Sequence, residues 1–157
     1  MIAYAISDEN KDNFTTYELI GGMLSKSNNF VRFDPYYTPF CGPVWLSQDS
    51  RHLFNQCSTV LRIVNNPNKN PTYDGKLSRL KRVFAAADSE VAGRVLAIGQ
   101  ADKPAELGDN KLIIYYSDTL NTDRIVDLPK LLVGETAVSG HGVAICSSTR
   151  TASIIMW

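Results

Sequence analysis

Histidine and cysteine are scarce in this chain of 157 residues, which holds two of the former and three of the latter. Cys41, Cys57 and Cys146 are odd in number and never fall into a C-x-x-C pair. That pattern fits reduced thiols better than a disulfide framework or a zinc site, so neither a metal nor a cofactor is expected. A charge of one sign is missing too: 16 basic residues face 16 acidic ones. The chain therefore has no long-range field to hold it on a phosphate backbone or an anionic membrane. Long hydrophobic runs are absent; Leu112 to Tyr116 and Ile154 to Trp157 fall far short of the roughly 18–20 residues of a spanning helix. The start, Met1-Ile2-Ala3-Tyr4-Ala5-Ile6, runs at once into Ser7, Asp8 and Glu9 and lacks the basic head and apolar core of an export signal. These absences predict a cytoplasmic product, or a subunit of a particle assembled from cytoplasmic subunits.

What is present is apolar content of 44%, enough for one proper core and, at this length, one domain over 1–157. Residues 1–6 alternate as a strand does, with Ile2, Tyr4 and Ile6 on one side. Phe14 to Ile20 reads as a strand or a short helix, and Phe30 to Phe33 as a strand that stops before Pro35. From Ser47 the apolar residues recur at helical spacing: Leu53, Cys57, Val60 or Leu61, and Val64, with Ser47 or Asp49 as N-cap. A second amphipathic stretch from Lys76 to Ala87 places Leu77, Leu80 and Phe84 on one face. Beyond Asp88, Arg94 to Ile98, Lys111 to Tyr116, Arg124 to Leu128, Thr136 to Ser147 and Ala152 to Trp157 read as short strands, with hairpins at Asp118 to Thr122 and Ser148 to Arg150. The expected fold is α+β, a mainly antiparallel sheet concentrated in the C-terminal half with two helices in the middle. An all-β sandwich is the alternative, because Thr59 to Val64 and Arg82 to Ala87 are also acceptable strands. No repeat of fixed period is evident, which speaks against a solenoid or a propeller.

Two constellations approach chemistry. Thr38-Pro39-Phe40-Cys41-Gly42-Pro43 precedes the first expected helix. A cysteine at a helix N-terminus sees the positive end of the dipole, which lowers its pKa, and backbone N–H groups there can stabilise an oxyanion. Ser139-Gly140-His141-Gly142-Val143 offers a histidine at the start of an apolar strand. Cys-Gly-Pro before a helix and His-Gly-Val before a strand resemble papain-like cysteine peptidases of the kind that process bacteriocin leaders. The resemblance implies Cys41 as nucleophile and His141 as base of a small cysteine hydrolase. It departs at Pro35, where that family places a glutamine, and at Thr151 to Trp157, which holds no Asp or Asn to orient the histidine. The competing reading makes Cys41 a buried or turn residue and His141 part of a bulge.

Lys76, Arg79 and Arg82 recur every three residues, a stripe that could meet phosphates or simply be a solvated helix face. The neutral total charge favours the second reading and makes nucleic acid an unfavoured partner. Tyr36, Tyr37, Phe40 and Trp45 crowd a loop stiffened by prolines, and Trp157 ends an apolar strand that is costly to expose. These are the residues expected to meet a protein partner or a second copy. The leading expectation is thus a non-enzymatic interaction or assembly module, such as a subunit of a viral or phage particle; the alternative is the hydrolase using Cys41 and His141.

Overall fold

The computed structural model describes residues 2–6, 13–20, 23–32, 41–63, 71–103, 111–133, 136–139, 142–147 and 152–156. Strands β1 (Ile2–Ile6), β2 (Asn13–Ile20) and β3 (Met23–Arg32) form an antiparallel sheet in that order. Strands β4 (Val44–Leu46), β5 (His52–Asn55), β6 (Thr59–Arg62) and β7 (Thr72–Lys76) form a four-stranded meander. A second meander follows with β8 (Leu80–Ser89), β9 (Arg94–Ala101), β10 (Lys111–Tyr116) and β11 (Thr122–Asp127). Two hairpins close the chain: β12 (Lys130–Val133) with β13 (Thr136–Ser139), and β14 (Gly142–Ser147) with β15 (Ala152–Met156). Strand β14 runs alongside β8 and β9.

No helix occurs among the described residues, so the described part of the fold is all-β and the expected α+β class is corrected. The first expected helix, from Ser47 on, is β5 and β6 with the turns before and between them; Val64 lies outside the described residues. Strands β5 and β6 are buried on both faces, Leu53 and Phe54 alike and Val60 and Leu61 alike. Such strands lose the alternation that would announce them, and the turn between them leaves apolar residues three or four apart. The turn is set by Asn55, wholly buried, whose side-chain Oδ1 accepts the Thr59 N–H at 3.0 Å. Ser58 takes a positive φ of 67° to complete it.

The second expected helix is the end of β7, a tight turn and β8. Register shifts in β8 between Leu80 and Arg82 and between Val83 and Ala85 mark bulges. Each bulge adds one residue to one side of a ladder. The inward residues therefore become Leu80, Val83 and Ala86, a spacing of three that mimics a helix face. Phe84, expected on that face, is instead exposed. Glycine is needed opposite the bulge: a Cβ on Gly99 would lie 2.0 Å from the Arg82 carbonyl oxygen. Strands expected at Arg94 to Ile98 and Lys111 to Tyr116 are β9 and β10, and the Asp118 to Thr122 hairpin joins β10 to β11; β14 and β15 pair antiparallel, while the Ser148 to Arg150 connection lies outside the described residues.

The two meanders share one core. Phe54 and Val60 of the first pack with Leu80, Val83, Val95, Ala97, Ile113 and Tyr115 of the second, and Trp45 closes the cluster from β4. Backbone bonds sew the seam, Val83 N–H to Gln56 O at 2.8 Å and Leu77 N–H to Ser58 O at 2.8 Å. The far face of the second meander carries its own cluster of Leu96, Ile98, Leu112 and Leu128.

Candidate functional site

The meanders repeat a device that the sequence conceals. Ser47 and Ser89 stand the same distance before His52 and Arg94, the first residues of β5 and β9. Each serine hydroxyl accepts backbone N–H groups of the turn it opens: Ser47 Oγ takes Arg51 at 3.1 Å and His52 at 2.8 Å, and Ser89 Oγ takes Ala92 at 3.3 Å. Each second strand then reaches an aspartate on the fourth. His52 Nε2 lies 3.1 Å from Asp74 Oδ2 on β7, and Arg94 Nε donates to Asp123 Oδ2 on β11 at 2.9 Å. The third strand supplies the residue in register, Arg62 opposite His52 and Tyr116 opposite Arg94. Arg62 Nη2 meets Asp74 Oδ1 at 2.7 Å, while the Arg94 guanidinium sits over the Tyr116 ring at 4.0 Å. Two clasps of one design thus tie strands two, three and four at the same end of both sheets.

Asp88 links the meanders there. Buried in β8, its Oδ1 accepts the Gln48 N–H from the β4–β5 turn at 2.8 Å. Burial pushes its carboxyl above the usual range, against the pull of that hydrogen bond, and the nearby Asp49 charge adds to the rise. Burial also acts to raise Asp49, but the Ser47 hydroxyl, the Arg51 N–H and the His52 and Arg51 charges outweigh it, and the net shift is downward. The Arg94 bond holds Asp123 below the ordinary value, helped by Tyr116 and Arg124.

Away from the starts of β5 and β9 lie the β5–β6 and β7–β8 turns, the second of which also reaches β11, with Ser78 Oγ 3.3 Å from Thr122 Oγ1. Three carbonyls of the second turn are each held from beneath: Tyr115 Oη donates to Ser78 O at 2.7 Å, Asp102 N–H to Arg79 O at 2.9 Å and Ser58 Oγ to Leu80 O at 2.6 Å. Arg79 sits in the left-handed region at φ 70°, between the fully buried Leu77 and Leu80. Its side chain, with those of Lys76, Lys81 and Arg82, is exposed. Arg82 Nη2 donates to Gln56 Oε1 at 3.0 Å. No carboxylate of a described residue pairs with these four cations; Asp127, also near this end, is held by Lys111. The opposite end differs, because there Arg51, Arg62, Arg94 and Arg124 each have an aspartate.

The expected site residues fare unevenly. Cys41 is bonded to Cys57 as a disulfide, which corrects the expectation of reduced thiols at these positions. The Gln56 N–H also donates to Cys41 O, so the crosslink staples the segment before β4 onto the β5–β6 turn. A bonded sulfur has no thiolate to offer, and the residue precedes a strand rather than a helix, so the dipole argument does not apply. His141, Tyr36, Tyr37, Phe40 and Trp157 lie outside the described residues. Trp45 is half-buried against the shared core. Lys76, Arg79 and Arg82 are exposed and lie around a strand turn instead of along a helix. The clasp residues His52, Asp74, Arg94, Asp123 and the buried Asp88 were missed. The one signal for them was an aspartate at the end of the apolar run Val83 to Ala87. Among the described residues no group of three or more His, Cys, Asp or Glu side chains could hold a metal ion. No family model and no curated protein matches the chain.

Proposed function

We propose that this protein is a non-enzymatic protein-interaction or assembly module whose meanders are consecutive blades of a propeller-like stack. Four-stranded antiparallel sheets packed face to face in chain order are what blades are, and blade repeats occupy about 40–50 residues. The shared core, the repeated clasp and the position of β14 beside β8 support this arrangement. Catalysis would need free acids, bases or nucleophiles, whereas His52, Asp74, Asp88 and Asp123 join strand to strand or turn to strand and Cys41 joins Cys57.

The observation that carries the reading is the set of large apolar side chains left in solvent on rigid strands: Leu46, Tyr73, Phe84, Ile125 and Val126. Exposed apolar groups on pre-formed backbone lose little entropy on docking, which makes them effective contact residues. The disulfide favours an oxidising compartment over the cytoplasmic setting expected from the sequence. The narrower reading as a viral or phage particle subunit draws no support from these sheets.

Light scattering across a concentration series tests the proposal. Association is expected, and Tyr73→Ser with Phe84→Ser should weaken it without altering the unfolding midpoint. A species that stays monomeric at every concentration, and whose behaviour those substitutions leave unchanged, would sink the reading.

A further inference from the structure

We infer that the end of the stack formed by the β5–β6 and β7–β8 turns binds an acidic peptide segment of a partner protein, a reading that rests on the interaction role proposed above. The two ends handle charge differently. At the clasp end each guanidinium among the described residues has a carboxylate. At the turn end Lys76, Arg79, Lys81 and Arg82 are exposed and have none among the described residues, where the acid joined to Arg79 through the backbone is Asp102. In a chain with no net charge, these four cations stand close in sequence on the two sides of one turn.

The platform is pre-formed. The turn carbonyls of Ser78, Arg79 and Leu80 accept bonds from Tyr115, Asp102 and Ser58, and the buried Leu77 and Leu80 anchor both sides. Arg79 holds a left-handed φ that an arginine adopts at a cost, and such strain persists where the surroundings over-determine it. Gln56 steadies the Arg82 guanidinium, and the disulfide fixes the β5–β6 turn that carries Gln56. Phe84, two residues beyond Arg82 on β8, adds an exposed ring for apolar contact. A carboxylate-rich peptide matches this surface: guanidinium forks bind carboxylates bidentately, and the aromatic takes an apolar neighbour. A nucleic acid would need a wider field than a neutral protein provides.

The test measures fluorescence anisotropy of the full chain with a labelled oligoglutamate peptide and, separately, with a single-stranded oligonucleotide of equal charge. The peptide is expected to bind more tightly than the oligonucleotide and to lose about tenfold in affinity as salt rises from low to physiological. Arg79→Asn with Lys81→Gln and Arg82→Gln should abolish most of the binding; asparagine tolerates the left-handed turn, so the thermal midpoint should stay near wild type. Arg51→Ala with Arg124→Ala, at the clasp end, should leave binding within about twofold. Absence of peptide binding, tighter oligonucleotide binding, or equal loss in the clasp-end variant overturns the inference. If self-association persists while the peptide fails to bind, only the partner chemistry falls; if both are absent, the interaction role falls with it.

Discussion

The two meanders have one layout and close it with different chemistry. In the first, Asp74 gathers His52 and Arg62, and a disulfide adds a covalent staple. In the second, Asp123 takes Arg94, which lies on Tyr116, and neighbouring Arg124 stands 3.5 Å away. Strand order, register partner and the serine before the turn are preserved while the side chains change. In both sheets strands two and four are bridged across strand three, with different ions and rings doing it.

The largest effect expected is on what the meanders hold in common. Phe54→Ala removes a fully buried ring from the shared core and should cost about 3–5 kcal/mol. Both sheets should still unfold in one transition, followed in denaturant by far-UV and tyrosine signals. Separate transitions would show that the meanders are independent.

Next comes the staple found in the first meander. Cys41→Ser with Cys57→Ser opens a loop of sequence separation 16 and should lower stability by about 3 kcal/mol, read from chemical denaturation without reductant. Adding reductant to the wild type should reproduce that loss, while leaving the double variant unchanged.

Smaller still is the clasp itself. Asp74→Asn leaves His52 and Arg62 without their carboxylate, and because Arg62 is well exposed the loss should be about 1 kcal/mol. Asp123→Asn should also destabilise. A double variant whose effects add would show that the clasps act separately, since effects fail to add where groups touch, share a network or are coupled through a common shift.

The smallest effect separates the clasps from Asp88 by pH. Asp123 is held below its ordinary 3.8, so its contribution is present above that value and fades as pH falls below it. Asp88 is raised above the same 3.8, so it opposes folding once pH climbs through 3.8 and past its folded value. Stability measured against pH should thus lose part of its acid limb in Asp123→Asn. In Asp88→Asn, whose amide oxygen still accepts the Gln48 N–H, it should gain above that range. Identical profiles for the two variants would contradict the opposite signs.

Much of the second meander was legible in the sequence because β9, β10 and their hairpin to β11 are short β-rich runs with polar turns between them. The first meander was misread for a physical reason: burial on both faces erases the period of two at Leu53–Phe54 and Val60–Leu61. In β8, bulges replaced that period by three through Leu80, Val83 and Ala86, and the string then looked helical. The basic residues of the candidate site were visible as letters, but their grouping was derived from the wrong element. The clasps were invisible, since His52 and Asp74 are far apart in the chain, and the matched pair Arg94 and Asp123 has different side chains at its first position.

By itself the amino-acid order determined a single apolar-rich chain without net charge, the strand character of its C-terminal half, and the exposure of Lys76, Arg79 and Arg82, since composition and local polarity act within a few residues. Only the tertiary structure decided that the middle is sheet, that Cys41 meets Cys57, and that, among the described residues, carboxylates pair with the cations at one end and not at the other. Those outcomes depend on which distant strands lie side by side, and pairing between strands is a property of the folded chain that no local stretch carries.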